Sequence, residues 1–280
     1  PIGKRVVLRH PASCFTYNPF PLNLMLTQLW RFRGFIWGSI KREHQLRYRR
    51  TQLGFFWTIA HPLALILIYT LVFGGVMRAG MVNESGPFSY AIYLCSGILT
   101  WNLLADVLTR LTSVFLDNSN LLKKVQVPKL TFPVITLGSC LLNFAIVMAV
   151  FFVFIITVGR FPGVVVVAML PVLLIQLALG TGLGMVLASV NVFYRDIQQA
   201  LAIALQFVFW LTPIVYVPEI LSARTVSVLT WNPVWPLMLA YRAIFMQGQE
   251  PVWQSLLYPA AVSLILIGAG FLAFARLQHE

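Results

Sequence analysis

"LRYRRTQLGFFW", residues 46–57, sets Arg47, Arg49 and Arg50 around Tyr48 and then turns wholly apolar. Residues 53–77 carry no Lys, Arg, Asp or Glu. A helix needs about 20 apolar residues to cross the hydrocarbon core of a bilayer. Basic residues hold one end of such a helix at the headgroups. The stretch reads as a membrane span preceded by its anchor.

The same pattern recurs along the chain. Residues 87–105, 130–159, 161–194, 197–218 and 252–275 are likewise uncharged. Of 280 residues, 59% are hydrophobic and 10% charged, and the mean hydropathy is +0.82. Soluble domains carry about 25% charged residues, so the bilayer is the natural solvent. Backbone groups in hydrocarbon must be paired internally, and the alternating segments of a β-barrel are absent. The expected fold is an all-α integral membrane protein with six transmembrane helices. The run 161–194 carries Pro162 and Pro171 near its start and is expected to begin as a loop or a tilted entry.

Between the fifth and sixth spans lies "VLTWNPVWPLMLAYRAIF", residues 228–245. Pro233 and Pro236 break it, yet it is too apolar for a free loop. Irregular backbone at membrane depth must be buried or line a cavity. Residues of about 219–250 therefore read as short re-entrant extracytoplasmic helices.

Six spans leave both ends on one side. Of the 20 basic residues, only Arg78, Arg160, Arg224 and Arg242 fall on the other side. The positive-inside bias puts both termini in the cytoplasm. Before the first span, Met25, Leu29, Phe32, Ile36 and Ile40 recur at helical spacing, with Arg31, Lys41 and Arg42 across from them. Such a helix lies in the membrane interface. The expected organisation is an irregular arm over 1–21, an amphipathic interfacial helix over 22–50, and a six-helix domain over 51–280.

Signs of catalysis are missing. The chain has no phosphate-binding loop, no zinc-protease motif and no nucleophile elbow. Cys14, Cys95 and Cys140 are dispersed, so neither a metal site nor a redox pair is indicated. No cofactor or metal is expected in this chain. The "GTGLG" glycines, Gly180, Gly182 and Gly184, lie inside an uncharged run and read as close helix contacts. Asp106 and Arg110 stand one helical turn apart and read as an ion pair. A transporter with so few intramembrane charges takes its energy from another subunit.

Four stretches together resemble one family. "LRYRRTQLGFFWTIAHPL" (46–63), "NSNLLKKVQVPKLTFPV" (118–134), "NVFYRDIQQALAIALQFVFWLTPIVY" (191–216) and "WNPVWPL" (231–237) look like the membrane subunit of an ABC type-2 polysaccharide exporter. That group exports O-antigen, teichoic acid and capsule. The resemblance covers residues from about 25 to the end. It implies a non-catalytic permease in the bacterial cytoplasmic membrane, a partner second copy of the chain, and two ABC ATPase subunits that carry the ATP and Mg. No nucleic acid partner is implied. The interfacial helix would be a gate helix. Residues of about 117–129 would form a coupling helix seated in the ATPase, with Asn118, Asn120, Leu121, Leu122, Lys123, Lys124 and Pro128 as contact candidates. A lipid-linked polysaccharide would pass along the dimer axis, among membrane lipids.

The basic cluster then gains a sharper role. Arg47, Arg49 and Arg50, with Tyr48, could hold the pyrophosphate of an undecaprenyl-linked substrate, since Arg grips phosphate bidentately. Membrane anchoring asks for the same residues. Sugar faces pack on aromatic rings, so the path candidates are Phe73, Tyr90, Tyr93, Trp101, Trp210, Tyr216, Trp231, Trp235 and Tyr241. The alternatives are a type-2 permease for a drug or lipid, and a membrane-embedded lipid-modifying enzyme. The enzyme would need a cluster of acids, His or Lys at the interface, and the eight acidic residues are sparse.

Overall fold

Long uncharged runs leave the backbone one economical conformation, and the described residues are predominantly helical. The computed structural model describes residues 30–48, 88–124, 127–218 and 221–277, with positions 56, 60, 64, 67 and 68. The expected arm over 1–21 lies outside the described residues. So does the expected first span, 53–77, apart from those isolated positions. The helices are α1 (Arg33–Tyr48), α2 (Ser89–Asp117), α3 (Ser119–Lys124), α4 (Thr131–Thr157), α5 (Met169–Phe193), α6 (Ile197–Leu211), α7 (Ala223–Leu229), α8 (Val234–Arg242) and α9 (Trp253–Leu277). A 3-10 turn, Gly163–Ala168, leads into α5, and a π turn, Ala243–Gln247, follows α8. No strand occurs among the described residues.

Among the described residues, four stretches are long and apolar enough to cross a bilayer: Ser89–Leu121, Thr131–Thr157, Gly163–Phe193 and Trp253–Arg276. The first is 78% buried within the chain and the others only 22–28%, so α2 is the most enclosed helix; α4 and α5 pack against it, and α9 packs mainly against α5. Pairings fix the directions. Thr100, Val107 and Leu111 of α2 meet Gln176, Gly180 and Gly184 of α5 in the same order, so these two helices run parallel. Phe115 of α2 stacks on Phe274 of α9, and α9 meets α5 at Leu266 and Ile267 beside Gly182. The α4 helix runs the other way: Phe88 touches Phe154 and Arg110 reaches Ser139.

The "GTGLG" glycines do what close packing asks. A Cβ on Gly182 would lie 2.5 Å from the backbone nitrogen of Ile267, and one on Gly184 would lie 2.9 Å from Leu111. Successive glycines thus face different neighbours, Gly182 toward α9 and Gly180 and Gly184 toward α2. Small residues are how helices approach where water supplies no hydrophobic drive. Elsewhere Gly159 (φ 72°) ends α4 and Gly248 (φ 61°) ends the π turn, a left-handed conformation open to glycine at little cost.

One expectation is met and another is amended. The run 161–194 does begin irregularly, as the 3-10 turn, and α5 starts only at Met169. The run 197–218 is helical only through Leu211. Its 15 residues span about 22 Å at 1.5 Å per residue, short of the hydrocarbon core of about 30 Å. The cause is Pro213. The residue before a proline is pushed out of the helical region, and Thr212 sits at φ −100°, ψ 138°. In 219–250 two short helices, α7 and α8, stand where broken helices were expected.

Gly182→Val is expected to cost about 3 kcal/mol through overpacking. Gly268, whose added Cβ would meet nothing, is expected to accept Ala without loss. Thermal unfolding in detergent compares the two.

Candidate functional site

The break after α6 leaves backbone carbonyls inside protein. Thr212, Pro213 and Ile214 are buried. Three consecutive carbonyls are met by side chains. Arg242 Nη2 donates to Ile214 O at 3.1 Å. Tyr90 Oη donates to Val215 O at 3.1 Å. Tyr93 Oη donates to Tyr216 O at 2.5 Å. A buried carbonyl without a partner costs about 1–3 kcal/mol, so these donors hold the segment in place. The Arg242 guanidinium also lies 3.6 Å from the centre of the Tyr93 ring. A cation over a ring is worth about 2 kcal/mol when desolvated. Asn232 completes this corner. Its Nδ2 donates to Thr212 Oγ1 at 2.9 Å, and its Oδ1 accepts from Val234 N at the start of α8.

The α8 helix is itself inserted into the bundle. Trp235, Leu237, Met238, Ala240, Tyr241 and Arg242 are all buried. Its depth is fixed by a polar contact. Tyr241 Oη donates to Gln176 Oε1 at 2.7 Å, and Gln176 Nε2 donates to Thr100 O at 2.6 Å. One amide on α5 therefore joins α8 to α2. Tyr258 of α9 adds a hydrogen bond to Trp231 O at 2.7 Å.

At the other end of α2, helix α1 docks across α2 and α4. Ile40 is the buried residue of its apolar stripe, and it is received by Gly138, where a Cβ would lie 2.5 Å from Ile40 Cδ1. Phe32 and Ile36 are half-buried on the same face, while Trp30 and Trp37 are exposed. The second fastening is ionic. Arg110 of α2 pairs with Glu43 of α1. Asp106, the partner expected from sequence, stands farther away at 3.8 Å. Arg110 also donates to Ser139 Oγ at 3.3 Å, so one guanidinium ties α1, α2 and α4 together. Next to it α3 follows α2 directly. Asn118 does not begin α3 with its side chain; its Nδ2 turns back to Val114 O at 2.8 Å and closes α2.

The aromatic path candidates separate by burial. Tyr90, Tyr93, Trp101, Trp235 and Tyr241 are enclosed within this chain. Trp101 packs edge-on against Phe209, and the tyrosines act as the donors described above. Within this chain the surfaces of these rings are taken up by internal packing. Tyr216 is half-buried. Trp210 is 59% exposed and Trp231 78%, and Phe207 shares the exposed face of α6 at 66%. Phe73, Arg49 and Arg50 lie outside the described residues, as do the side chains of Arg47, Tyr48, Leu122, Lys123 and Lys124. Asn120 and Leu121 are exposed on α3, and Pro128 O accepts from Thr131 N as α4 begins. Sequence reading missed Glu43, Gln176, Asn232 and Arg242. A lone glutamine inside an uncharged run was the available signal for Gln176.

A family model for the ABC-2 type transporter matches residues 35–246, from α1 to the π turn. The chain belongs to the ABC-2 type transporter family. With its four long apolar helices, this ABC-2 chain is an integral membrane protein. It is 31% identical over 259 residues to the O-antigen export system permease protein RfbA of Myxococcus xanthus, covering 91% of this chain and 97% of that one. It is 27% identical to the protein of the same name from Klebsiella pneumoniae, over 85% of this chain and 90% of the other. The polysialic acid transport protein KpsM of Escherichia coli is 25% identical, over 85% and 91%.

Arg242→Met is expected to free the broken segment of this ABC-2 chain. Hydrogen exchange of residues 214–217 should rise while the amides of α4 stay protected. For α1, Glu43→Gln, Arg110→Gln and the double variant should show a coupling energy of about 1 kcal/mol or more, the size seen for residues in direct contact. Thermal unfolding of the three variants checks it.

Proposed function

We propose that this chain is the permease subunit of an ATP-driven exporter that moves a lipid-linked polysaccharide of the O-antigen class across the bacterial cytoplasmic membrane. The observation that carries the reading is the match to an O-antigen export permease over 91% of this chain and 97% of the relative. Two copies would form the pathway, and two ABC ATPase subunits would supply hydrolysis. The chain itself makes and breaks no covalent bond.

The end of the bundle that holds α1, α3, Arg195 and Arg276 is the more basic one, and it becomes the cytoplasmic end. Helix α3 (Ser119–Lys124) then serves as the coupling helix, its Lys123 and Lys124 suiting an acidic ATPase groove. Helices α7 and α8 form the outer, re-entrant element. The buried placement of α8, joined to mid-bundle residues Thr100 and Gln176, supports that reading. Arg47, Tyr48, Arg49 and Arg50 meet the substrate pyrophosphate at the inner headgroup level. The exposed rings Phe207, Trp210 and Trp231 replace the buried ones as path candidates. An open ring can stack on a sugar without first leaving the core.

The test is co-expression with the cognate ATPase, reading ATP hydrolysis and surface polysaccharide together. Wild type is expected to do both. Arg47→Ala, Arg49→Ala and Arg50→Ala should retain hydrolysis and lose export, most strongly in combination. Trp210→Ala should slow export severalfold with hydrolysis intact, whereas Tyr241→Phe should act through stability alone. A chain that assembles with no ATPase would sink the proposal.

A further inference from the structure

Between α1, the end of α2 and the start of α4 lies a cavity of about 470 Å³, within the usual range of small-ligand sites, about 300–1,000 Å³. We propose that it holds the headgroup of a zwitterionic aminophospholipid, of the phosphatidylethanolamine class, as a bound structural lipid distinct from any transported substrate. The proposal goes beyond the exporter reading and does not rest on it.

Charge balance is the first argument. Among the described residues four ionised side chains line the cavity: Arg42, Glu43, Arg110 and Asp117. They are two cations and two anions, so the described lining is neutral. A doubly anionic diphosphate entering here would meet two carboxylates. A headgroup carrying one charge of each sign can set its cation against one of them. Glu43 and Arg110 are already paired with one another. That leaves Arg42 and Asp117 as the ions that define the two poles.

The poles sit on different walls. Arg42 belongs to α1 and donates to Ser39 Oγ at 3.1 Å, with further guanidinium donors to offer a phosphate. Asp117 is the last residue of α2. It accepts from Ser113 Oγ at 2.6 Å, and a carboxylate can accept several such bonds. A helix C-terminus carries a partial negative charge. Carboxylate and helix end thus favour a cation at the same point. A primary ammonium can donate hydrogen bonds to Asp117, and a quaternary choline cannot. Beside Ser39, Asn118 and Thr136, the remaining lining is apolar, and exposed Phe35 and Leu121 give glycerol and acyl carbons a surface to cover. That selects a membrane lipid over a free phosphoamine.

The experiment is native mass spectrometry of the purified full-length chain titrated with phosphatidylethanolamine, phosphatidylcholine and phosphatidylglycerol. Ethanolamine lipid is expected to bind about tenfold tighter than choline lipid, the change for loss of one charge-assisted hydrogen bond. Asp117→Asn should erase that preference, and Arg42→Gln should weaken both zwitterionic lipids by a similar factor. Both side chains are on the exposed surface, and if one variant fails to fold the other still decides. Equal binding of the two zwitterions, strongest binding of the anionic lipid, or an unchanged preference in Asp117→Asn would overturn the proposal. Displacement by soluble phosphoethanolamine would overturn the lipid assignment in favour of a free zwitterion. Export is not read, so a negative result leaves the exporter proposal standing, and failure to assemble with an ATPase leaves this one standing.

Discussion

A helix that stops short inside a bundle creates a debt of unpaired carbonyls, and most of this structure is arranged around that one break. Pro213 ends α6 after Leu211, and the next carbonyls, buried or half-buried, are left without helical partners. Arg242, Tyr90 and Tyr93 supply the donors. Those three residues come from α8 and the start of α2. The break therefore dictates that α8 be drawn into the core and that α2 present two tyrosines at its first turns. Gln176 and Thr100 then set how deep α8 sits.

Helix α2 carries this arrangement from one end of the bundle to the other. At its start it holds the broken segment. At Arg110 it holds α1 through Glu43. At Asp117 it passes straight into α3, with Asn118 closing its last turn. A movement of α3 would be felt along one rigid, buried rod at both fastenings. The glycines of α5 keep the rod in contact with its neighbours by letting α2 and α9 approach from different sides.

The membrane character of the chain was legible because hydrophobic length is a local property. The runs 87–105, 130–159 and 252–275 could be read as helices with no knowledge of their neighbours, though α2 extends beyond the first of them to Asp117. The same holds for the α1 stripe, where Ile40 proved to be the buried residue, and for the glycine triplet. Pairing was less legible. Arg110 had Asp106 one turn away in sequence, yet its closest partner is Glu43, 67 residues distant. Periodicity reports which face of a helix is apolar, not which helix lies opposite.

The aromatic residues mark the boundary most clearly. Composition gave nine rings of equal standing, and nothing local separates Trp101 from Trp210. Folding turned the first inward against Phe209 and left the second open. By itself the sequence determined that this is a helical membrane chain, which end is basic, and where glycines let helices approach closely. Those facts follow from length, charge and backbone sterics, which act within a few residues. Only the tertiary structure decided which tyrosines repair the broken helix, which cation ties down α1 and which tryptophans stay exposed. Each of those depends on atoms brought together from far apart in the chain.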